Sequence, residues 1–268
     1  MKAVILARGL GTRMRREDPG APLTDEQVRA AAAGSKAMMP VGRPFLDFVL
    51  SGLADAGVTE ICLVVAPDHG AIRHYYDREV RPTRFALHYA VQPRALGTAD
   101  AVLAARAFAG SDPFLVLNGD NYYPADAYRA LIHAGAPALV GFEPGTLVRL
   151  GHIEADRVRR YALLRVGADD VLLDIVEKPD PAAAAALGHA SLVSMNLWAF
   201  PPAIFEACAA VRPSVRGELE LPDAVRHAIR VLDVRFRVIP LAAGVLDLAG
   251  RADVAVVAER LQDVTAWL

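Results

Sequence analysis

Lysine is almost missing from this chain: Lys2, Lys36 and Lys178 stand against 26 arginines. Cysteine is scarcer still, with Cys62 and Cys208 alone. Two cysteines cannot frame a disulfide scaffold, and no C-x-x-C or Cys/His spacing offers a structural metal site. They read as buried apolar residues of a reducing compartment. Neither sign of charge dominates, since 29 basic and 31 acidic residues leave a net charge of -2. That removes the basic excess a nucleic-acid or anionic membrane surface would select. Long apolar runs are absent too. Ala3–Ala7 is only five residues long and leads into arginines, too short for a signal-peptide core. No run approaches the roughly 18 residues that span a bilayer. The expectation is a soluble, cytoplasmic protein with neither nucleic acid nor membrane as a partner.

What is present is a core. Of 268 residues 54% are hydrophobic, far from the disordered corner of composition and enough for a large single domain. Apolar runs at Ala3–Ala7, Ile61–Ala66, Ala86–Val91, Phe114–Leu117 and Ala138–Phe142 alternate with amphipathic stretches over 45–56, 69–79, 98–108 and 124–134. Such alternation predicts βαβ units, hence an α/β fold with a mostly parallel sheet covered on both faces. The second half reads differently. Residues 150–177 are expected to hold two or three strands turning at Gly167-Ala168-Asp169-Asp170. Helices over 201–210 and 218–230, a strand over 234–239 and a helix over 251–266 follow. With no repeat and no linker, residues 1–268 read as one domain. The segment 16–35 is an excursion, an insert or a lid, in which Thr24-x-x-Gln27 is a capping box opening an Ala-rich helix. Ala182–Ala186 reads as a surface helix.

The chemistry concentrates after the first strand, at Leu6-Ala7-Arg8-Gly9-Leu10-Gly11-Thr12-Arg13-Met14-Arg15. Two glycines two apart let the backbone turn tightly and point N–H groups at an anion, and the arginines supply charge. A dinucleotide fingerprint would need a third glycine where Met14 stands, and a Walker A loop would end in Gly-Lys-Ser/Thr. From these residues alone a phosphate cradle and an ordinary βα turn both stay open.

Together with Lys36-Ala37-Met38-Met39-Pro40-Val41, the segment resembles the signature of the sugar-nucleotidyltransferase family, whose members join a sugar 1-phosphate to a nucleoside triphosphate. The resemblance continues in the family's order through Gln92-Pro-Arg-Ala-Leu-Gly97-Thr98-Ala99-Asp100, Asn118-Gly119-Asp120, Glu177-Lys178-Pro179, Met195-Asn196, Gly217-Glu218 through Asp223, and Leu246-Asp247-Leu248. Among its members it is similar to glucose-1-phosphate thymidylyl- and uridylyltransferases. It implies a Rossmann-like nucleotidyltransferase fold, a mixed sheet with flanking helices and a small β-rich subregion on the sugar side; with the sequence ending at Leu268, the C-terminal β-helix domain that some members carry is not expected.

The resemblance also implies roles. Leu6, Ala7, Gly9, Gly11, Thr12, Arg13, Lys36, Gln92, Gly97, Thr98, Asn118 and Gly119 would meet the nucleotide, with Gln92 reading a uracil or thymine edge through donor and acceptor. Arg13, Lys36 and Asp120 would be catalytic. Asp120 and Asp247 would hold Mg²⁺, which suits hard oxygen ligands. Glu177, Lys178, Asn196 and Glu218 would bind the sugar phosphate. The base would be that of UTP or dTTP. Alternatives are a catalytically silent nucleotide- or sugar-binding module, nucleotidyl transfer to a non-sugar phosphate such as phosphocholine, and, weakest, a dehydrogenase. A homo-oligomer stays open. Three departures stand out: Arg8 replaces a small residue, Asp247 lacks the usual D-V-G-T continuation, and 16–35 exceeds the usual spacer.

Overall fold

The computed structural model describes residues 1–180, 182 and 191–268. Apart from Ala182, the surface helix expected over 182–186 lies outside them. Among the described residues the strands are β1 (Lys2–Leu6), β2 (Glu60–Val65), β3 (Ala86–Val91), β4 (Phe114–Asn118), β5 (Asn121–Tyr122), β6 (Ala138–Phe142), β7 (Ala162–Val166), β8 (Leu172–Val176), β9 (Val193–Phe200), β10 (Arg237–Leu241) and β11 (Leu246–Asp247). The main sheet runs β10-β6-β9-β4-β1-β2-β3. Every neighbouring pair on this path is parallel except that β9 opposes both β4 and β6. The hairpin β7–β8 joins through β9, and this is the β-rich subregion expected from the sequence.

Continuous apolarity in the strands has a direct consequence. Side chains alternate across a strand, so Ala3, Ile5, Ile61, Leu63, Leu115 and Leu117 enter one core. Val4, Cys62, Val64, Phe114 and Val116 enter the other. Both faces of these central strands are buried, and each fully buried Val, Leu, Ile or Phe side chain contributes about 1.5–3 kcal/mol by leaving water. Helices Phe45–Asp55 and Ala125–Ala134 cover the first face, and Thr98–Ala104, Ile204–Ala210 and Leu221–Arg230 the second.

Strand order also creates the crevice. From β1 the chain moves outward to β2 and β3, then returns to the other side of β1 as β4. Loops leaving the carboxyl ends of β1 and β4 therefore diverge, and the space between them is where an open α/β sheet binds ligands.

The strand expected over 234–239 is Arg237–Leu241 and the helix expected over 251–266 is Asp253–Leu261, and two further expectations need correction. Residues 150–161 are not strand: the end of helix Pro144–Gly151, the short helix Ala155–Val158 and the turns around it make up that stretch, and strands begin only at Ala162. The run Glu154-Ala-Asp-Arg has no period-two pattern and carries Asp156 in the first turn of its helix, where the helix dipole favours an acid. The stretch 69–79 splits into an α-helix, Gly70–His74, and a wider turn, Tyr75–Val80. Among the described residues no helix is long and apolar enough to cross a membrane.

Candidate active site

A cavity of about 360 Å³ lies at the carboxyl ends of β1 and β4, lined by Gly9, Gly11, Thr12, Arg13, Lys36, Asn118, Asp120, Asn196 and Asp247 among others. It opens into a larger cleft that Thr98, Glu177, Lys178 and Glu218 also line. Residues read from eight separate segments thus share one crevice.

Its floor is the glycine loop after β1. Gly11 has φ +62°, and a Cβ there would lie 2.2 Å from Gly34 O, so the loop and the end of the 16–35 excursion touch backbone to backbone. The capping box is formed: Gln27 N donates to Thr24 Oγ1 and Thr24 N to Gln27 Oε1, while Gln27 Nε2 reaches Pro40 O at 2.9 Å. Arg15 Nη2 donates to Ala33 O at 2.9 Å. The excursion is therefore a pinned helical arm, Asp25–Ala33, and its end delivers Lys36 to the cavity. Gly11→Ala should lower stability by about 2 kcal/mol, because it combines left-handed strain with a backbone clash. That corresponds to a Tm fall of roughly 4–8 °C in thermal unfolding; an unchanged Tm would show that the loop can part from Gly34 at no cost.

The two aspartates lie 127 positions apart in the chain and meet through a register. β11 pairs antiparallel with β5, Asp247 opposite Asn121, and Leu248 N donates to Asp120 O at 2.9 Å. Asp120 Oδ2 accepts from Lys36 Nζ at 2.8 Å. Asp247 is buried, accepting from Asn121 Nδ2 at 3.2 Å and from Tyr161 OH. Burial first, then repulsion from Asp120, pushes its pKa up to about 6. Two hard oxygen donors that repel each other fit a small divalent cation. Among the described residues no cluster of three or more His, Cys, Asp or Glu surrounds such an ion. Two carboxylates would hold it, with water and phosphate oxygens completing the shell, the arrangement magnesium favours.

On the far side, Glu177 ends the strand hairpin. Burial and then Glu220 push its carboxyl up to about 7, with Arg216 opposing, so near neutrality it can both donate to and accept from a hydroxyl. Arg216 stands 3.8 Å from Glu177 and 2.8 Å from Glu220. Lys178 has φ 45° and is exposed. Asn196 has φ 57° inside β9, where the pairing with β6 shifts register between Leu139 and Gly141. Asparagine tolerates the left-handed conformation, and an irregularity of this kind re-aims a side chain toward a site.

Not every expected residue lines the crevice. Leu6, Ala7, Gln92, Gly97 and Gly119 line neither cavity. Gly119 is there for approach: its N–H donates to Leu6 O at 3.0 Å, and a Cβ would press on Ile5, Leu6 and Ala7. Gln92 departs from the reading of an amide free to meet a base edge. It is buried, and Nε2 donates to Gly97 O at 3.1 Å and to Asp100 Oδ2 at 2.7 Å, so both amide protons brace the turn before helix Thr98–Ala104. Gly97, at φ +122°, packs against the backbone of Leu219, and Thr98 Oγ1 accepts from Leu221 N. Arg8 neither joins the cavity nor folds outward; Nε reaches Gln92 O at 3.4 Å. The sequence reading missed Asn121, Tyr161, Arg157 and Arg216. The first three surround Asp247 across more than 80 positions, a distance no local motif reports; Arg216, beside Gly217-Glu218, was within reach.

Comparison with known proteins gives the family. The family model "Nucleotidyl transferase" matches residues 2–248. A glucose-1-phosphate thymidylyltransferase of Streptomyces antibioticus is 32% identical over 237 residues, 85% of this chain, although the chain spans only 57% of that protein's length. The UTP–glucose-1-phosphate uridylyltransferase AglF of Haloferax volcanii is 30% identical over 234 residues, 86% of this chain and 84% of that one. Among solved structures, a UDP-glucose pyrophosphorylase complexed with UDP-glucose aligns with a TM-score of 0.73 at 17% identity, covering 98% of this chain and 99% of that one. A UTP-bound counterpart from Acinetobacter baumannii gives 0.74 at 19%, covering 99% and 95%. These two show the fold. A family match over most of the chain, relatives at this identity and the residues gathered in one crevice lead to one conclusion: the chain belongs to the nucleotidyl transferase family.

Proposed function

We propose that the protein transfers a nucleotidyl group from UTP or dTTP to a sugar 1-phosphate, releasing pyrophosphate and forming a nucleotide sugar. The observation that carries this reading is the pairing of β5 with β11, which sets Asp120 beside Asp247 in a cavity floored by Gly9–Arg13 and flanked by Lys36. The names of the relatives, thymidylyl- and uridylyltransferase, support the pyrimidine base.

The reaction needs no protein nucleophile. A sugar-phosphate oxygen attacks the α-phosphorus, one P–O bond forms, and the bond from the α-phosphorus to the β-phosphate oxygen breaks with its electrons leaving on pyrophosphate. Catalysis is then positioning and charge stabilisation. Gly9, Gly11 and Thr12 line the polyphosphate side, and Arg13 neutralises charge on the departing pyrophosphate. Lys36, a movable point charge, leaves Asp120 for the phosphates. Lys178 meets the sugar phosphate, Glu177 and Asn196 the sugar hydroxyls, with Glu218 at the rim. Mg²⁺ held by Asp120 and Asp247 would supply Lewis-acid stabilisation of charge on the phosphoryl oxygens. The presence of Arg13, Lys36, Asp120 and Asp247 in one cavity favours turnover over a silent binding module.

The test is pyrophosphate release with UTP, dTTP, ATP and GTP crossed against sugar 1-phosphates and phosphocholine, in Mg²⁺. UTP or dTTP with a sugar 1-phosphate should lead. Release about tenfold faster with ATP or GTP, a difference of ~1.4 kcal/mol in barrier, would overturn the base assignment. Preference for phosphocholine would overturn the acceptor, and no release with any pair would overturn the activity.

A further inference from the structure

Asp247 is gripped at both carboxylate oxygens. Asn121 Nδ2, opposite it in the β5–β11 register, donates to Oδ1 at 3.2 Å. Tyr161 OH, one residue ahead of β7, donates to Oδ2. Arg157, on the short helix Ala155–Val158, brings Nε to 3.7 Å from the same Oδ2 and Nη1 to 2.8 Å from Asp253 Oδ1. That Nε is buried and has no hydrogen-bond partner among the described residues. Asp253 in turn accepts from Ala249 N and Gly250 N at 3.0 and 2.7 Å, which fastens the loop directly after Asp247. The two donors lie 126 and 86 positions from Asp247 in the chain, and Tyr161 itself lines the cavity that Asp120 and Asp247 share.

A half-buried phenol at a cavity wall could be satisfied by a backbone carbonyl or by water. Here the acceptor is a carboxylate proposed as a cation ligand, and the amide from β5 holds the other oxygen. With one oxygen tied, the carboxylate can still swing about its Cβ–Cγ bond; with both tied it cannot. We propose that Tyr161 is a positioning residue for divalent-cation binding, its hydroxyl fixing the rotation of the Asp247 carboxylate so that this group and Asp120 present oxygens to the same ion. Outer partners of this kind typically change metal affinity or activity by roughly 10–100-fold when removed. The proposal rests on the reading of Asp120 and Asp247 as cation ligands, and not on the identity of the nucleotide or sugar.

Tyr161→Phe keeps the ring and removes the hydroxyl. Binding of Mn²⁺ alone, followed by loss of the free-ion electron paramagnetic resonance signal, should weaken about tenfold or more in this variant. In an Asp247→Asn background the same change should have no further effect, because the hydroxyl acts through that carboxylate. In pyrophosphate release the Mg²⁺ concentration for half-maximal rate should rise by a similar factor while KM for the sugar phosphate stays near that of the parent. Unchanged Mn²⁺ affinity in folded Tyr161→Phe would overturn the proposal. So would an equal loss in both backgrounds, or Mn²⁺ binding by the parent chain that Asp247→Asn leaves intact. A parent chain that binds Mn²⁺ as described yet releases no pyrophosphate would sink the nucleotidyl-transfer reading and leave this one standing.

Discussion

Asp120→Asn should reduce Mg²⁺-dependent pyrophosphate release by roughly 10²–10³-fold or more while the protein stays folded. Asparagine keeps the size and one oxygen acceptor but removes the charge that both Lys36 and a divalent cation require. Lewis-acid stabilisation of a phosphoryl transition state amounts to several kcal/mol, and each 1.36 kcal/mol is tenfold in rate. The folded state has less at stake. Lys36 and Asp120 are partly exposed, with side-chain exposures of 21% and 30%, and ion pairs that water still reaches contribute about 0–1 kcal/mol. Thermal unfolding of the variant should therefore shift by no more than a few degrees. Near-normal turnover in Mg²⁺ would remove Asp120 from the site.

Asp47→Ala should do the reverse, lowering stability by about 3–5 kcal/mol while the folded fraction stays active. Asp47 is fully buried in the first turn of the helix Phe45–Asp55. Its Oδ2 accepts from Arg43 Nε at 2.9 Å and Tyr75 OH at 2.9 Å, and its Oδ1 from Tyr76 OH at 2.9 Å. Arg43 Nη1 continues to Ala266 O. One carboxylate thus joins a helix, the turn Tyr75–Val80 and the C-terminal residues. Removing it leaves the buried Tyr76 hydroxyl, the half-buried Tyr75 hydroxyl and the 39%-exposed Arg43 guanidinium without their acceptor; a donor left unmet away from water costs about 1–3 kcal/mol, so the three together come to about 3–5 kcal/mol. For a protein of this size that corresponds to a Tm fall on the order of 10 °C. Asp47→Asn, which keeps one acceptor oxygen, should lose less. Denaturant unfolding measures both, and a loss below ~1 kcal/mol for the alanine variant would mean that the hydroxyls find other acceptors. Asp47 lines neither cavity, so kcat below the transition should match the parent.

These two aspartates mark the limits of what one-dimensional reading reaches. Asp120 was legible because it closes a short local motif, Asn118-Gly119-Asp120, at the end of an apolar strand. Asp47 was not, since nothing in Phe-Leu-Asp-Phe-Val-Leu tells a buried acceptor from an exposed one. Of the six strands up to Phe142, five were legible to within one residue at each end, four of them because a central strand buried on both faces demands a run of apolar side chains; the two-residue β5, Asn121–Tyr122, was not, since it has no such run. Residues 150–161 were misread where that demand lapses and short helices on the surface follow local charge. Gln92 was found in the right segment, yet its amide turned out to hold Gly97 and Asp100; spacing reports the neighbourhood of a side chain and not its partners.

By itself the sequence determined the alternating α/β plan, the glycine loop after β1, the capping box at Thr24, and an ordered set of polar residues too specific in arrangement to be surface decoration. The first three are local, each depending on backbone freedom, periodicity or a side chain reaching its own chain a few residues away; the fourth is an order along the chain. Only the tertiary structure decided that Lys36 pairs with Asp120, that the 16–35 arm is pinned against Gly11, and that Asn121, Tyr161 and Arg157 surround Asp247. Those contacts join positions from 23 to 126 residues apart, and strand register and sheet order, not sequence spacing, set which side chains share a crevice.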